Sequence, residues 1–244
     1  MMSSGFISRL AGAAAFLAAP AAFAGGFVAP TVEVVDPIVP VIAQDWTGAY
    51  VGASIGYAFA GDDRVGYAEN NDVFATPGKL ELSGANAGLR VGYRKQFTGQ
   101  TREWVMGAEL GYEGGSIEDS FSTAEYEAGN EINSVLALRV KTGVLNAPQD
   151  TLFYGILGVA RADYDYRASG VDLAGAPIDL VGDGEKSTGY IVGFGVERKM
   201  TDKLSLTGEW EYANFGKTNL GDGVYSTEMT PDYHNIKLGL NYRF

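Results

Sequence analysis

The 244-residue chain has no cysteine and a single histidine, His234. The first absence removes disulfide scaffolds, thiolate metal sites and cysteine nucleophiles. The second leaves no pair of imidazoles from which to build a zinc centre. Basic residues are also scarce: 18 Lys and Arg stand against 30 Asp and Glu, a formal net charge of -12. Phosphate contacts need Lys and Arg, so nucleic acid is excluded as a partner. Beyond the first two dozen residues no run of about 18 apolar residues occurs, which excludes a membrane-crossing helix. What is abundant is glycine, 34 residues or about 14%, twice the usual share of roughly 7%. Tyrosine is the commonest aromatic at 14 residues, and an ordinary soluble domain does not explain that combination.

Residues 1–24 read as a secretory signal peptide: Arg9 supplies the positive start, Leu10 to Ala19 the apolar stretch, and Ala22-Phe23-Ala24 the cleavage box. The mature chain is expected to begin at Gly25. From 25 to 45, Pro30, Pro37 and Pro40 punctuate a Val/Ala stretch; proline blocks helix and ladder alike, so this reads as an extended periplasmic linker.

From Trp46 onward the dominant period is two, which is the strand period. Eight segments show it: 47–59, 84–95, 103–112, 134–144, 152–166, 188–199, 204–215 and 234–244. The second sets Leu89, Val91 and Tyr93 against Arg90, Gly92 and Arg94; the last sets Ile236, Leu238, Leu240, Tyr242 and Phe244 against Lys237, Gly239, Asn241 and Arg243. The fifth is the least regular, because Phe153, Leu157 and Val159 share a parity with Arg161 and Asp163. Connections alternate strictly between long (61–80, 113–132, 167–186, 216–232) and short (96–102, 145–150, 200–203). A sandwich has no reason to sort its loops by length in this way. An up-and-down transmembrane β-barrel does, with short periplasmic turns and long extracellular loops.

The aromatics give a second test. With the first strand running outward, Tyr57, Phe59, Tyr112, Tyr164, Tyr166, Tyr190 and Tyr212 fall near the long-loop end. Tyr93, Trp104, Tyr154, Tyr242 and Phe244 fall near the turn end. Two belts with aliphatic residues between them are the girdles of a membrane barrel. The expected fold is therefore all-β, an eight-stranded antiparallel up-and-down barrel over 46–244, placed in the outer membrane among its lipids and lipopolysaccharide, and monomeric.

The stretches DWTGAYVGASIGYAFAG (45–61), TGYIVGFGVERKMTDKLSLTGEWEYANFG (188–216) and IKLGLNYRF (236–244) resemble the small eight-stranded outer-membrane barrels of Gram-negative bacteria, the OmpA-like transmembrane domain and the porin-family surface proteins. The resemblance implies that Leu240, Tyr242 and Phe244 form the terminal signal read by the barrel assembly machinery. One departure is that the chain stops at Phe244, without the peptidoglycan-binding domain that follows the barrel in full OmpA-type proteins, so cell-wall anchoring by such a domain is not implied.

An eight-stranded barrel has a lumen that side chains can fill. The inward set is expected to include Arg90, Arg94, Arg139, Lys141, Arg161, Lys199, Lys237 and Arg243, opposed by Glu103, Glu109, Asp163, Glu197, Glu209 and Glu211. Unpaired buried charge is costly, so these should pair, with Arg94 facing Glu103 across the ladder and Arg90 diagonal to Glu109. Glycines on the same parity, among them 52, 56, 88, 92, 111, 155, 193 and 239, would make room for the long chains. The lumen is expected to be plugged by this internal salt-bridge network, with a gated ion path as the alternative.

Catalytic motifs are thin. Gly52-Ala53-Ser54-Ile55-Gly56 has the spacing of a nucleophile elbow, but it lies within unbroken strand alternation. His234 beside Asp232 or Ser226 could act as a general base in a lipid-modifying enzyme. No cofactor is implied. The four long connections carry 17 acids and 5 bases, so nearly all the net charge sits in an acidic crown. The expected role is structural, in envelope integrity and surface presentation, with a small porin and a lipid-modifying enzyme as alternatives.

Overall fold

A computed structural model describes residues 45–70 and 72–244; the segment expected to be a signal peptide and, except for Asp45, the one expected to be a linker lie outside the described residues. Twelve strands form among them: β1 (Gly48–Phe59), β2 (Asp63–Glu69), β3 (Asp72–Leu80), β4 (Gly84–Phe97), β5 (Trp104–Ser122), β6 (Glu127–Leu145), β7 (Thr151–Val171), β8 (Pro177–Lys199), β9 (Leu204–Asn214), β10 (Thr218–Gly221), β11 (Tyr225–Met229) and β12 (Asp232–Arg243). Eight of them close a barrel in the order β1-β12-β9-β8-β7-β6-β5-β4. Every neighbour is antiparallel, and the ring is sealed where β1 pairs with both β4 and β12, the latter from Tyr50↔Arg243 to Phe59↔His234. Closure leaves the barrel no free edge, so each backbone polar group of the wall can be met by a neighbouring strand.

Alternation places the apolar residues outward. Ile55, Leu89 and Leu157 are each more than 60% exposed, as are Phe194 and Phe244. A wall this apolar on its outside is stable only against lipid.

The long connections are not loops in the structure. β5 to β8 run for 19 to 23 residues and continue well past the wall of β1, β4, β9 and β12. Segments 61–80 and 216–232 fold into hairpins that join as a four-stranded sheet, β10-β11-β2-β3. This sheet covers the extended strands and forms a roof over one end of the barrel. Its inner residues Val65, Tyr67 and Met229 are buried in a cluster that also holds Ile132, Tyr164, Tyr166, Ile178 and Phe215. Tyr67 Oη donates to the carbonyls of Glu127 and Ser169, tying the sheet to β6 and β7.

Irregularities in register mark the change from barrel to roof, between Gly114 and Ile117 on β5, Ile132 and Ser134 on β6, and Gly182 and Glu185 on β8. An extra residue shifts the side-chain parity beyond it. On β6 the buried positions are odd at Val135, Ala137 and Arg139 but even at Ala128, Asn130 and Ile132.

β7 differs from the expectation. Tyr154, Tyr164 and Tyr166, assigned to the girdles, are buried inside, whereas Arg161 and Asp163, assigned to the lumen, point outward with Phe153, Leu157 and Val159. Gly155 also faces outward. Both faces of β7 are apolar along much of its length, so the strand's own alternation does not choose between them. Its neighbours do: Leu157 lies opposite Val140 and Val192, both on the lipid side.

Candidate functional site: the charged lumen

Within the barrel, five cations (Arg90, Arg94, Arg139, Lys141 and Lys237) face five carboxylates (Glu109, Glu113, Glu197, Glu209 and Glu211), with every partner at most about one-eighth exposed. They form three groups along the lumen. Nearest the turns, Arg94 Nη1 lies 2.7 Å from Glu197 Oε2, and Glu197 also accepts from Ser205 and, at 3.2 Å, from Asn241. In the middle, Arg90 donates to Glu209 at 2.9 Å, Asn241 at 2.8 Å and Thr207 at 2.6 Å. Lys141 bridges Glu109 and Glu209, both at 2.7 Å, and the Tyr50 and Tyr154 hydroxyls donate to the same two carboxylates at 2.9 and 2.6 Å. Nearest the roof, Arg139 and Lys237 share Glu113 and Glu211; Lys237 Nζ lies 3.0 and 2.6 Å from them. Burial of charge is tolerated here because each charge has several partners of the right kind.

The glycines are the steric counterpart of this network. A Cβ on Gly111 would come within 2.6 Å of Arg139 Nη1, and one on Gly92 within 2.5 Å of the Tyr50 ring.

Trp46 closes the turn end. It is fully buried, its Nε1 donates to the Gln149 carbonyl at 2.8 Å, and its carbonyl accepts from Arg94 Nε at 3.0 Å. Arg94 and Lys199 lie over its ring at 4.7 and 4.8 Å, cation–π distances. Lys199 and Arg243 are bound to backbone here: both donate to the Asp45 carbonyl, at 2.9 and 2.6 Å. Glu103 sits half-buried at the mouth and accepts from Gln96 at 3.4 Å.

The sequence-predicted residues therefore divide. Arg90, Arg94, Glu109, Arg139, Lys141, Glu197, Glu209, Glu211 and Lys237 come together in the lumen. Glu103, Lys199 and Arg243 gather at the turn-end mouth, and Arg161 and Asp163 lie on the outer wall. Arg94 stands opposite Gly107 rather than Glu103, because the hairpin turn is centred later than its Thr98-Gly99 pair suggests. Arg90 is diagonal to Glu109, 3.9 Å away. Sequence reasoning missed Glu113 by ending its strand at Tyr112; continuing the same parity from Glu109 and Gly111 finds it.

On the outer wall, Tyr57, Phe59, Tyr93, Trp104, Tyr112, Tyr190, Tyr212 and Tyr242 occupy outward positions, as do Leu240 and Phe244. His234 is outward as well, its ring stacked 5.4 Å from Trp210 and 5.7 Å from Phe59. Its Nδ1 makes no hydrogen bond among the described residues. Asp232 instead accepts from the Tyr212 hydroxyl at 2.9 Å and the Asp62 amide at 3.1 Å, and Ser226 pairs with Gly221 and Ala68 in the roof sheet. No hydrogen bond joins His234 to Asp232 or Ser226 among the described residues. Among the described residues no group of three or more His, Asp or Glu side chains could hold a metal ion.

A closed antiparallel barrel, apolar outside and charged within, is a small integral outer-membrane barrel. More particularly, the chain belongs to the outer membrane protein beta-barrel domain family, which it matches over residues 10–244. It is 28% identical over 241 residues to the 31 kDa outer-membrane immunogenic protein of Brucella melitensis biotype 1, covering 92% of this chain and 96% of that protein. The protein of the same description from Brucella suis biovar 1 is equally similar. Among solved structures, OprG of Pseudomonas aeruginosa aligns at 13% identity and a TM-score of 0.46, covering 81% of this chain and 96% of that one. Neisserial surface protein A aligns at 14% identity and a TM-score of 0.40, covering 81% and 98%. The protein is an outer-membrane protein, set in the lipid of that membrane.

Proposed function

We propose that the protein is a non-conducting structural barrel, which supports the envelope and presents its roof at the cell surface without catalysing a reaction. The observation that carries this reading is the lumen: five cations and five carboxylates satisfy one another, and Trp46 lies across the turn end. Past the turn-end mouth, an ion would meet no unpaired charge among the described residues to replace its hydration, and passage would require several buried pairs to part. In this reading the turns and both termini are periplasmic, the roof is extracellular, the barrel is a monomer, and β12 with its outward Leu240, Tyr242 and Phe244 presents the strand that the assembly machinery engages. An outward-facing roof also suits relatives described as immunogenic.

Single-channel recording in planar bilayers tests the reading. The wild-type barrel is expected to be electrically silent. Steady wild-type conductance that disappears when Arg90 or Lys141 is replaced would establish the porin alternative instead.

A further inference from the structure

The true face of β7 leaves a cation on the lipid-facing wall. Arg161 is the next outward residue beyond Val159 on the side of the roof, and it lies opposite Leu136 on β6 and Thr188 on β8. On the same face of β8, Lys186 neighbours Thr188 on the side of the roof and Tyr190 neighbours it on the apolar side. A lipid-facing Arg or Lys costs ~2–4 kcal/mol at the bilayer midplane and ~0–1 kcal/mol near the interface. Its position at the border between Val159, Leu136 and Tyr190 and the polar roof therefore places Arg161 at headgroup depth.

The nearby carboxylates are already engaged. Asp163 is paired with Lys186 at 3.6 Å. Asp165 accepts from Asn133 at 3.0 Å and from the Gly184 amide at 2.7 Å. Arg161 forms no ion pair among the described residues, and it is exposed on the outer face directly across the ladder from Thr188, also exposed. A guanidinium fork matches two phosphate oxygens, and a hydroxyl on the adjacent strand can meet a third.

We propose that Arg161, with Thr188 beside it, binds the phosphate of a phosphorylated glycolipid in the outer leaflet. The assignment to that leaflet rests on the roof being extracellular. The acidic roof, with five acids and no base over 114–132, repels an anionic leaflet, and this spot supplies a local attraction.

Native mass spectrometry of the detergent-purified protein, titrated with diphosphoryl lipid A, dephosphorylated lipid A or phosphatidylglycerol, tests the proposal. Wild type is expected to hold diphosphoryl lipid A about tenfold more tightly than the dephosphorylated form, the scale of one charge-assisted pair. Arg161→Leu, which suits an apolar wall, should abolish that ratio while retaining the folded, heat-modifiable gel mobility; Arg161→Lys should keep part of it. Equal retention of the two lipid A forms by wild type, or an unchanged ratio in Arg161→Leu, would overturn the site. Phosphatidylglycerol held as tightly as diphosphoryl lipid A would overturn the glycolipid assignment. None of these readouts depends on whether the lumen conducts.

Discussion

Barrel and roof share the long strands β5 to β8 yet are organised as inverses. In the barrel the interior is charged, with Arg90, Arg139, Glu209 and Glu211 buried, and the exterior is apolar. In the roof the interior is Tyr67, Ile132, Tyr166 and Met229, and the exterior carries most of the protein's acidic excess. The surroundings decide the difference. Lipid rewards an apolar outside, which leaves the polar residues of a period-two strand nowhere to go but the lumen. Water rewards the opposite arrangement. The register shifts on β5, β6 and β8 allow one strand to serve both, because an added residue turns the next side chains to the other face.

If the barrel's stability rests on paired charge and the roof's on apolar packing, the largest effect should come from breaking one lumen pair. Glu209→Ala leaves Arg90 and Lys141 each short of a partner and deprives the Tyr154 hydroxyl of its acceptor. Stranding buried charge costs ~3–5 kcal/mol. Urea unfolding in lipid vesicles should show a loss of that size over the whole barrel. A loss under ~1 kcal/mol would mean that water enters the lumen freely and that the pairs matter little.

In the roof the corresponding change is Tyr67→Ala, which removes a buried ring packed 4.9 Å from Tyr126 and two hydrogen bonds to carbonyls. A truncation of this kind costs ~3 kcal/mol, but the cost should remain local. Hydrogen exchange in β2 and β3 should rise while barrel protection is unchanged. If the barrel midpoint fell as far as in Glu209→Ala, the two regions would be one cooperative unit.

Asp63 is where the roof departs from its own rule. Burial pushes its carboxyl up to about 6, against hydrogen bonds from the Thr230 amide and Asn130 that favour the charged form; Asp232 and Asp62 add to the rise. A carboxylate with a raised folded pKa binds more protons folded than unfolded, so the roof should gain stability as pH falls from about 6 toward the unfolded value of 3.8. Two units correspond to up to ~3 kcal/mol, reduced by whatever relaxation the site allows. Asp63→Asn should flatten the pH dependence of exchange in β2. A wild-type roof that loosens on acidification would reverse the argument.

These regions were unequally legible in the sequence. The lumen could be read because glycine and charge share a parity on β4, β8 and β12, and a small residue beside a long one is the mark of a cramped interior. β7 could not, since Tyr154, Ile156 and Ala160 on one face and Phe153, Leu157 and Val159 on the other are equally apolar; only its partners orient it. The roof was hidden for a different reason. Its strands are short, set in segments rich in Gly, Asn and Asp, and paired across most of the chain, as Tyr225 with Glu69, so local composition reads as loop. Glu113 falls at that border, where its sequence neighbours are the acids of the crown.

The smallest effect isolates sterics from charge. A Cβ on lumen Gly239 would sit 2.7 Å from Thr207 Oγ1 and 3.0 Å from the Ala53 carbonyl, and against the Arg90 guanidinium as well. On lipid-facing Gly208 it would meet nothing nearer than Val196 Cγ1 at 3.8 Å. Overpacking a filled interior costs ~1–3 kcal/mol, so Gly239→Ala should lower the unfolding midpoint in vesicles. Gly208→Ala adds a methyl group to a lipid-exposed wall and relieves some of glycine's backbone entropy, so it should be neutral or stabilising by up to ~1 kcal/mol. The sign of the difference is the test. If Gly239→Ala were the milder change, the lumen would have room to spare, and both the packing account of its glycines and the case for a closed pore would fail together.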